Sequence, residues 1–175
     1  MAALVYIVDT LIRLYLLVLM MRLVLQWSRA DFRNPIARAI VQLTNPVIRP
    51  LRRILPAVGQ LDTASLFAIC VVVLLKIAAP VVLYGYSPPA PLEWLRLMLI
   101  ELVKLLLYLY LFAIFLYTLL LLLAQGGTSA VLSMLYSVCE PLLRRVRRVI
   151  PPIAGLDLSA LWILIAINAL LILLP

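Results

Sequence analysis

The sequence has no histidine. That absence removes histidine-ligated haem or zinc, Ser-His and Cys-His nucleophile pairs, and an imidazole proton shuttle. Its two cysteines, Cys70 and Cys139, form no CxxC motif. Cys70 stands in an apolar run and Cys139 in a basic segment expected to be a loop, so they should lie at different depths and no disulfide is expected. Five glycines leave no P-loop, no GxGxxG and no GxxxG helix-contact motif. The first residues, MAALVYIVDTLIRLYLL, have no basic n-region and no small-residue cleavage site, so a removed signal peptide is not expected. The expectation is a protein that is not an enzyme, with no catalytic residue, cofactor or metal.

Charge is scarce as well. Charged residues make up 13% of the 175 and hydrophobic residues 67%, where a soluble domain has roughly a quarter and a half. The bilayer, rather than a soluble core, is expected to set the fold. The charge present is lopsided, with 15 Lys+Arg against 7 Asp+Glu.

Four segments are long enough to cross a bilayer: about 4–27, 63–86, 95–124 and 158–174. The linker after the first holds Arg29, Arg33, Arg38, Arg49, Arg52 and Arg53, and the linker after the third holds Arg144, Arg145, Arg147 and Arg148. Ten of the 15 basic residues thus lie in two linkers. The remaining linker, GYSPPAPLEW, has none before Arg96. The positive-inside rule puts both arginine-rich linkers in the cytoplasm and both termini outside. Tyr84, Tyr86 and Trp94 then fit an outer aromatic belt, and Trp27 an inner one.

Shifted by 95 residues, the chain aligns with itself without gaps. NPVIRPLRRILPAVGQLDTASL lies over EPLLRRVRRVIPPIAGLDLSAL, with eight identities in 22 positions. Pro46, Arg49, Arg52, Arg53, Pro56 and Asp62 meet Pro141, Arg144, Arg147, Arg148, Pro151 and Asp157. The expected fold class is an all-α integral membrane protein with four transmembrane helices arranged as two parallel two-span repeats. Repeat one would cover 1–86, an outer linker 87–94, and repeat two 95–175. Each repeat would carry a short interfacial amphipathic Arg-rich helix, over 46–55 and 141–150. Pro46 and Pro141 suit a first helical position. Arg49, Arg52 and Arg53 share a face opposite Ile48, Leu51, Ile54 and Leu55; Arg144, Arg147 and Arg148 likewise oppose Leu142, Val146, Val149 and Ile150. Pro50 should weaken the first copy. Asp62 and Asp157 stand where the next span needs a cap and are expected also to pair with a nearby arginine, an ion or partner site being the alternative.

This duplicated pattern of proline, paired arginine, proline and Gly-x-x-Asp or Gly-Leu-Asp-x-Ser resembles the YggT family of small bacterial membrane proteins, whose plastid relatives are called YlmG. The resemblance covers essentially the whole chain. It departs where Ala154 replaces the counterpart of Gly59, and where the second unit lacks the Asn34-Pro35 pair. It implies a multi-pass bacterial inner-membrane protein without known catalytic residues. Family members have been linked to osmotic or potassium homeostasis, and plastid relatives to nucleoid and membrane organisation, division and haem attachment to a cytochrome.

Two readings fit the arginine segments Arg49, Arg52, Arg53, Arg144, Arg145, Arg147 and Arg148. They are topology determinants, or they also bind anionic lipid at about 1 kcal/mol per basic residue. Direct nucleic-acid binding is not expected, because no aromatic is interleaved to stack on bases. A third constellation lies within the spans: Asp9 and Arg13 in the first, Lys76 in the second, Glu101 and Lys104 in the third. Tyr6-Asp9-Arg13 and Glu101-Lys104-Tyr108 coincide under the 95-residue shift, so Asp9 is expected opposite Lys104 and Arg13 opposite Glu101. An ion pathway and outer-headgroup anchoring are the alternatives. Two function classes remain. One is a non-enzymatic membrane organiser or assembly factor acting through anionic lipid and a membrane-protein partner or homo-oligomer. The other is an ion-handling protein, channel-like or accessory to potassium uptake, in osmotic homeostasis.

Overall fold

The computed structural model describes residues 2–56, 62–123, 127, 129–150 and 158–174. Among them are six helices and no strand: α1 Ala2–Trp27, α2 Pro35–Ile54, α3 Thr63–Tyr84, α4 Pro91–Leu123, α5 Ala130–Val149 and α6 Ser159–Leu173. Two of them, Thr63–Leu83 within α3 and all of α4, are long and apolar enough to cross a membrane. The 26-residue α1 carries Asp9, Arg13 and Arg22 among its apolar residues. The 15-residue α6 is apolar but about 22 Å long.

Local chemistry sets the ends. Helix α1 stops in a Schellman turn, in which Ala30 N–H donates to Leu25 O at 2.9 Å and Arg29 N–H to Gln26 O at 3.2 Å. Arg29 takes the left-handed position, φ 52°, where glycine is usual. Asn34 caps α2 by accepting from Ile36 N–H at 2.9 Å, with Pro35 at the first helical position. Asp62 caps α3, and Gly85 ends it with φ 67°. Ser129 caps α5 by accepting from Leu132 N–H at 3.1 Å.

Two boundaries correct the sequence reading. The amphipathic helices run 35–54 and 130–149 rather than 46–55 and 141–150, each 20 residues long. Pro46 and Pro141 lie inside them rather than at their starts. Each proline removes one backbone donor, but both are exposed and the carbonyls they release need not be buried. Helix α4 starts at Pro91, within the expected outer linker, where Ala90 O accepts from Glu93 and Trp94 N–H.

Helix α1 packs on α3, and α4 on α6; α2 lies against α1 and α3, and α5 against α4 and α6. The two sets meet where α4 touches α1 and α3 and where α5 touches α1 and α2. No contact joins α1 to α6 among the described residues, so the two halves are not related symmetrically. Leu16, Leu19, Leu25, Ile48, Ile69, Ile114, Leu135 and Leu143 are fully buried between the helices. Helices α2 and α5 share one end of the bundle, following α1 and α4 and preceding α3 and α6. Asn34 Nδ2 ties them together by donating to Ala130 O at 2.7 Å.

Candidate functional site

Helix α2 presents three arcs. Ala37, Thr44 and Ile48 are buried against its neighbours. Leu43, Val47 and Ile54 form an exposed apolar edge. Arg38, Gln42, Asn45, Arg49 and Arg52 recur at helical spacing on the third arc, with Arg53 beside them. A cationic arc across the helix from an exposed apolar edge, on a helix already packed against the bundle, is suited to a headgroup boundary.

Beneath the cationic arc lies a buried charge cluster. Arg22 of α1 is 4% exposed and Asp62 is 2% exposed. Arg22 Nη1 donates to Thr44 Oγ1 at 2.6 Å and Asn45 Oδ1 at 3.2 Å, and its Nε stands 3.7 Å from Asp62 Oδ2. Arg52 Nη2 donates to the same Asp62 oxygen at 2.6 Å. Ser65 Oγ also donates to it, at 2.7 Å. Burial alone would raise the Asp62 carboxyl, but hydrogen bonds from Arg52 and Ser65 and the Arg52 charge outweigh it and hold the group below the usual carboxylate range. Three helices thus converge on one carboxylate. A cavity of about 540 Å³ opens beside the cluster, lined by Arg22, Arg38, Arg49, Arg52, Gln42 and Asn45 among others.

Helix α5 carries the counterpart. Glu140 accepts from Arg147 Nη1 at 3.0 and 3.1 Å and stands 3.9 Å from Arg144. A cavity of about 430 Å³ there is lined by Ser137, Glu140, Arg144, Arg145 and Arg148. Arg145 also reaches the rim of an apolar groove of about 720 Å³ between α4, α5 and α6, whose walls include Leu106, Leu142, Val146 and Trp162. Asp157, expected to cap the last span, lies outside the described residues.

The interior charges pair differently from the sequence expectation. Arg13 donates to Asp9 on its own helix at 2.7 Å, with both partly exposed. Glu101 of α4 pairs with Lys76 of α3. The expected Arg13–Glu101 contact is therefore replaced, because Lys76 reaches the same carboxylate from the helix packed directly on α4. Lys104 is half-buried three residues beyond Glu101. Cys139 is buried within α5 rather than in a loop, and burial with the Glu140 charge pushes its thiol up to about 12.

The profile of the CCB3/YggT family matches residues 1–83 and 97–175. The chain belongs to the CCB3/YggT family. The uncharacterised protein YggT of Escherichia coli K12 is 35% identical over 159 residues, covering 91% of this chain and 82% of that protein. An uncharacterised protein of Pseudomonas aeruginosa is 35% identical over 167 residues, 95% and 85% of the two chains. A third, from the proC 3′ region of Vibrio alginolyticus, is 38% identical over 164 residues, 93% and 88%. No solved structure matches.

In this YggT-family chain, sequence reasoning missed Arg22, Thr44, Asn45 and Ser65. Arg22 did leave a signal: it is the lone charge in LYLLVLMMRLVLQW, residues 14–27. A basic residue inside such a run needs a partner.

Proposed function

We propose that this chain is a four-span, non-enzymatic protein of the bacterial inner membrane, built as two parallel repeats, that organises its surroundings by holding anionic phospholipid and a membrane-protein partner at the α2–α5 end. The observation that carries the reading is the shared placement of Arg38, Arg49, Arg52 and Arg53 on α2 and Arg144, Arg145 and Arg148 on α5. All seven are exposed, on helices whose opposite faces are buried in the bundle. Each such residue near an anionic leaflet contributes about 1 kcal/mol. The groove edged by Arg145 supports the reading, because it sets an apolar surface for an acyl chain beside a cation for its headgroup.

Lipid analysis of the full chain extracted in mild detergent tests this. Wild-type protein is expected to retain anionic over zwitterionic phospholipid, and a variant carrying Arg49→Gln, Arg53→Gln, Arg144→Gln and Arg148→Gln to lose that enrichment. Equal lipid composition in the two preparations would refute the reading.

One observation favours the alternative, ion handling: the Lys76–Glu101 pair lies between α3 and α4, about 21 Å along α3 from Asp62. Ion flux in proteoliposomes that Glu101→Gln abolishes would favour it over the organiser.

A further inference from the structure

The cavity on α2 and the cavity on α5 share four lining positions under the 95-residue offset, Asn45 with Glu140 and Arg49 with Arg144 among them, but they differ in the atoms that decide what they hold. Arg49 and Arg52 correspond to Arg144 and Arg147 under the 95-residue offset. Arg22 corresponds to Tyr117, and Asn45 to Glu140. In the first half two guanidiniums, Arg22 and Arg52, share the single carboxylate of Asp62, which leaves excess positive charge in the cluster. Arg38 and Arg49 line the same cavity, and their side chains make no hydrogen bond or ion pair among the described residues. Asn45 accepts from Arg22 through Oδ1, so its Nδ2 remains a donor. Thr44, Asn45 and the Val41 carbonyl together fix Arg22, so the charge at the floor of the cavity is preorganised.

In the second half the position of Arg22 holds Tyr117, an uncharged side chain 5% exposed, whose ring meets Tyr136 at 6.4 Å. The position of Asn45 holds a carboxylate, Glu140, already engaged with Arg147. An anion entering there meets Arg144, Arg145 and Arg148 but also the Glu140 carboxylate in the cavity wall, whereas an anion entering the first cavity meets four arginines and amide donors with no carboxylate among the lining residues.

The geometry points to a phosphate-group site in the α2 cavity and not in its α5 counterpart, the phosphate being that of an anionic lipid headgroup or of free inorganic phosphate. Guanidinium groups match the spacing of phosphate oxygens, and a preorganised, partly buried cluster strengthens each charge-assisted bond. The inference rests on the reading that the α2–α5 end faces anionic groups, and it adds that one half alone is specific.

The test is thermal unfolding of the full chain in neutral detergent at constant ionic strength. It is titrated first with inorganic phosphate, then with phosphatidylglycerol or phosphatidylcholine in mixed micelles. Arg49→Gln and Arg144→Gln, both at exposed positions, are compared with wild type. Saturable stabilisation is expected, with Arg49→Gln weakening the apparent affinity about tenfold and Arg144→Gln changing it by less than about twofold. Stabilisation by inorganic phosphate alone assigns the free ion. Stabilisation by phosphatidylglycerol but by neither phosphate nor phosphatidylcholine assigns the headgroup. If neither ligand stabilises, or both variants weaken binding alike, the site is wrong. Anionic lipid that co-purifies while the two variants behave alike leaves the organiser reading standing and removes the pocket. Saturable, Arg49-dependent phosphate binding without any lipid enrichment does the reverse.

Discussion

Asp62 has a carboxylate with no exposed surface, ringed by Arg22, Arg52 and Ser65. Its removal differs in kind from removal of Arg22. Asp62→Ala strands a buried guanidinium and should cost about 3–5 kcal/mol. Arg22→Met leaves Asp62 paired with Arg52 and Ser65 and sacrifices hydrogen bonds worth about 1–3 kcal/mol. Thermal unfolding in detergent should therefore place Asp62→Ala below Arg22→Met, and the opposite order would mean that Arg22 does not depend on this carboxylate. The pH dependence follows from the depressed titration of Asp62. Its stabilising contribution is fully present above the usual carboxylate range and is lost as pH falls below that range through the lower folded value. Asp62→Asn, which keeps a capping oxygen, should flatten that acid limb in a titration of unfolding temperature. The cap and the pairing of Asp62 with a nearby arginine, here Arg52, were legible in the sequence; the convergence of Arg22, Thr44, Asn45 and Ser65 on the same place was not. The network's members come from residues 22, 44–45, 52 and 62–65, and no local pattern says that three helices converge.

Helices α3 and α4 are joined by Lys76 and Glu101, whose side chains are 13% and 30% exposed. The charges were legible in the sequence but the partner was not, because spacing along one helix identifies a face and not the neighbour it meets. The elements themselves were more legible. Apolar runs long enough to span, bounded by Asp62 and by the proline-rich GYSPPAP stretch, mark α3 and α4 closely. The start of α2 was missed because Pro46 satisfies the rule for a first helical position, although Asn34-Pro35 satisfies it eleven residues earlier with a capping side chain as well. If the Lys76–Glu101 pair fixes the docking of α3 on α4, Lys76→Leu and Glu101→Leu should each destabilise the protein, and the double variant should lose less than the sum. A coupling of about 0.5–3 kcal/mol is expected in a thermal-aggregation cycle. Additive losses would show that the two groups act separately.

At the scale of the whole molecule, placement of charge and placement of helices point the same way. Helices α2 and α5 begin 95 residues apart, end 95 residues apart, and meet through Asn34 and Ala130. Their arginines therefore lie at one end, and a topology that put the two linkers on opposite sides of a membrane would have to break that contact. The opposite end carries the linker from Gly85 to Ala90, which has no Lys or Arg. On the proposed four-span reading, the asymmetry of cationic loops would orient the chain with the arginine end in the cytoplasm. Single cysteines at Ser87, Arg33 and Ser133 report this, since all three positions are exposed. The native background should be low, because Cys139 is buried and its thiol is pushed up to about 12, and Cys70 is only partly accessible. A membrane-impermeant maleimide added to intact spheroplasts should label Ser87→Cys and should reach Arg33→Cys and Ser133→Cys only after the membrane is opened. Labelling of the latter two from outside would invert the orientation. Labelling of one but not the other would separate α2 from α5 across the bilayer, and with them the shared headgroup face on which the organiser reading depends.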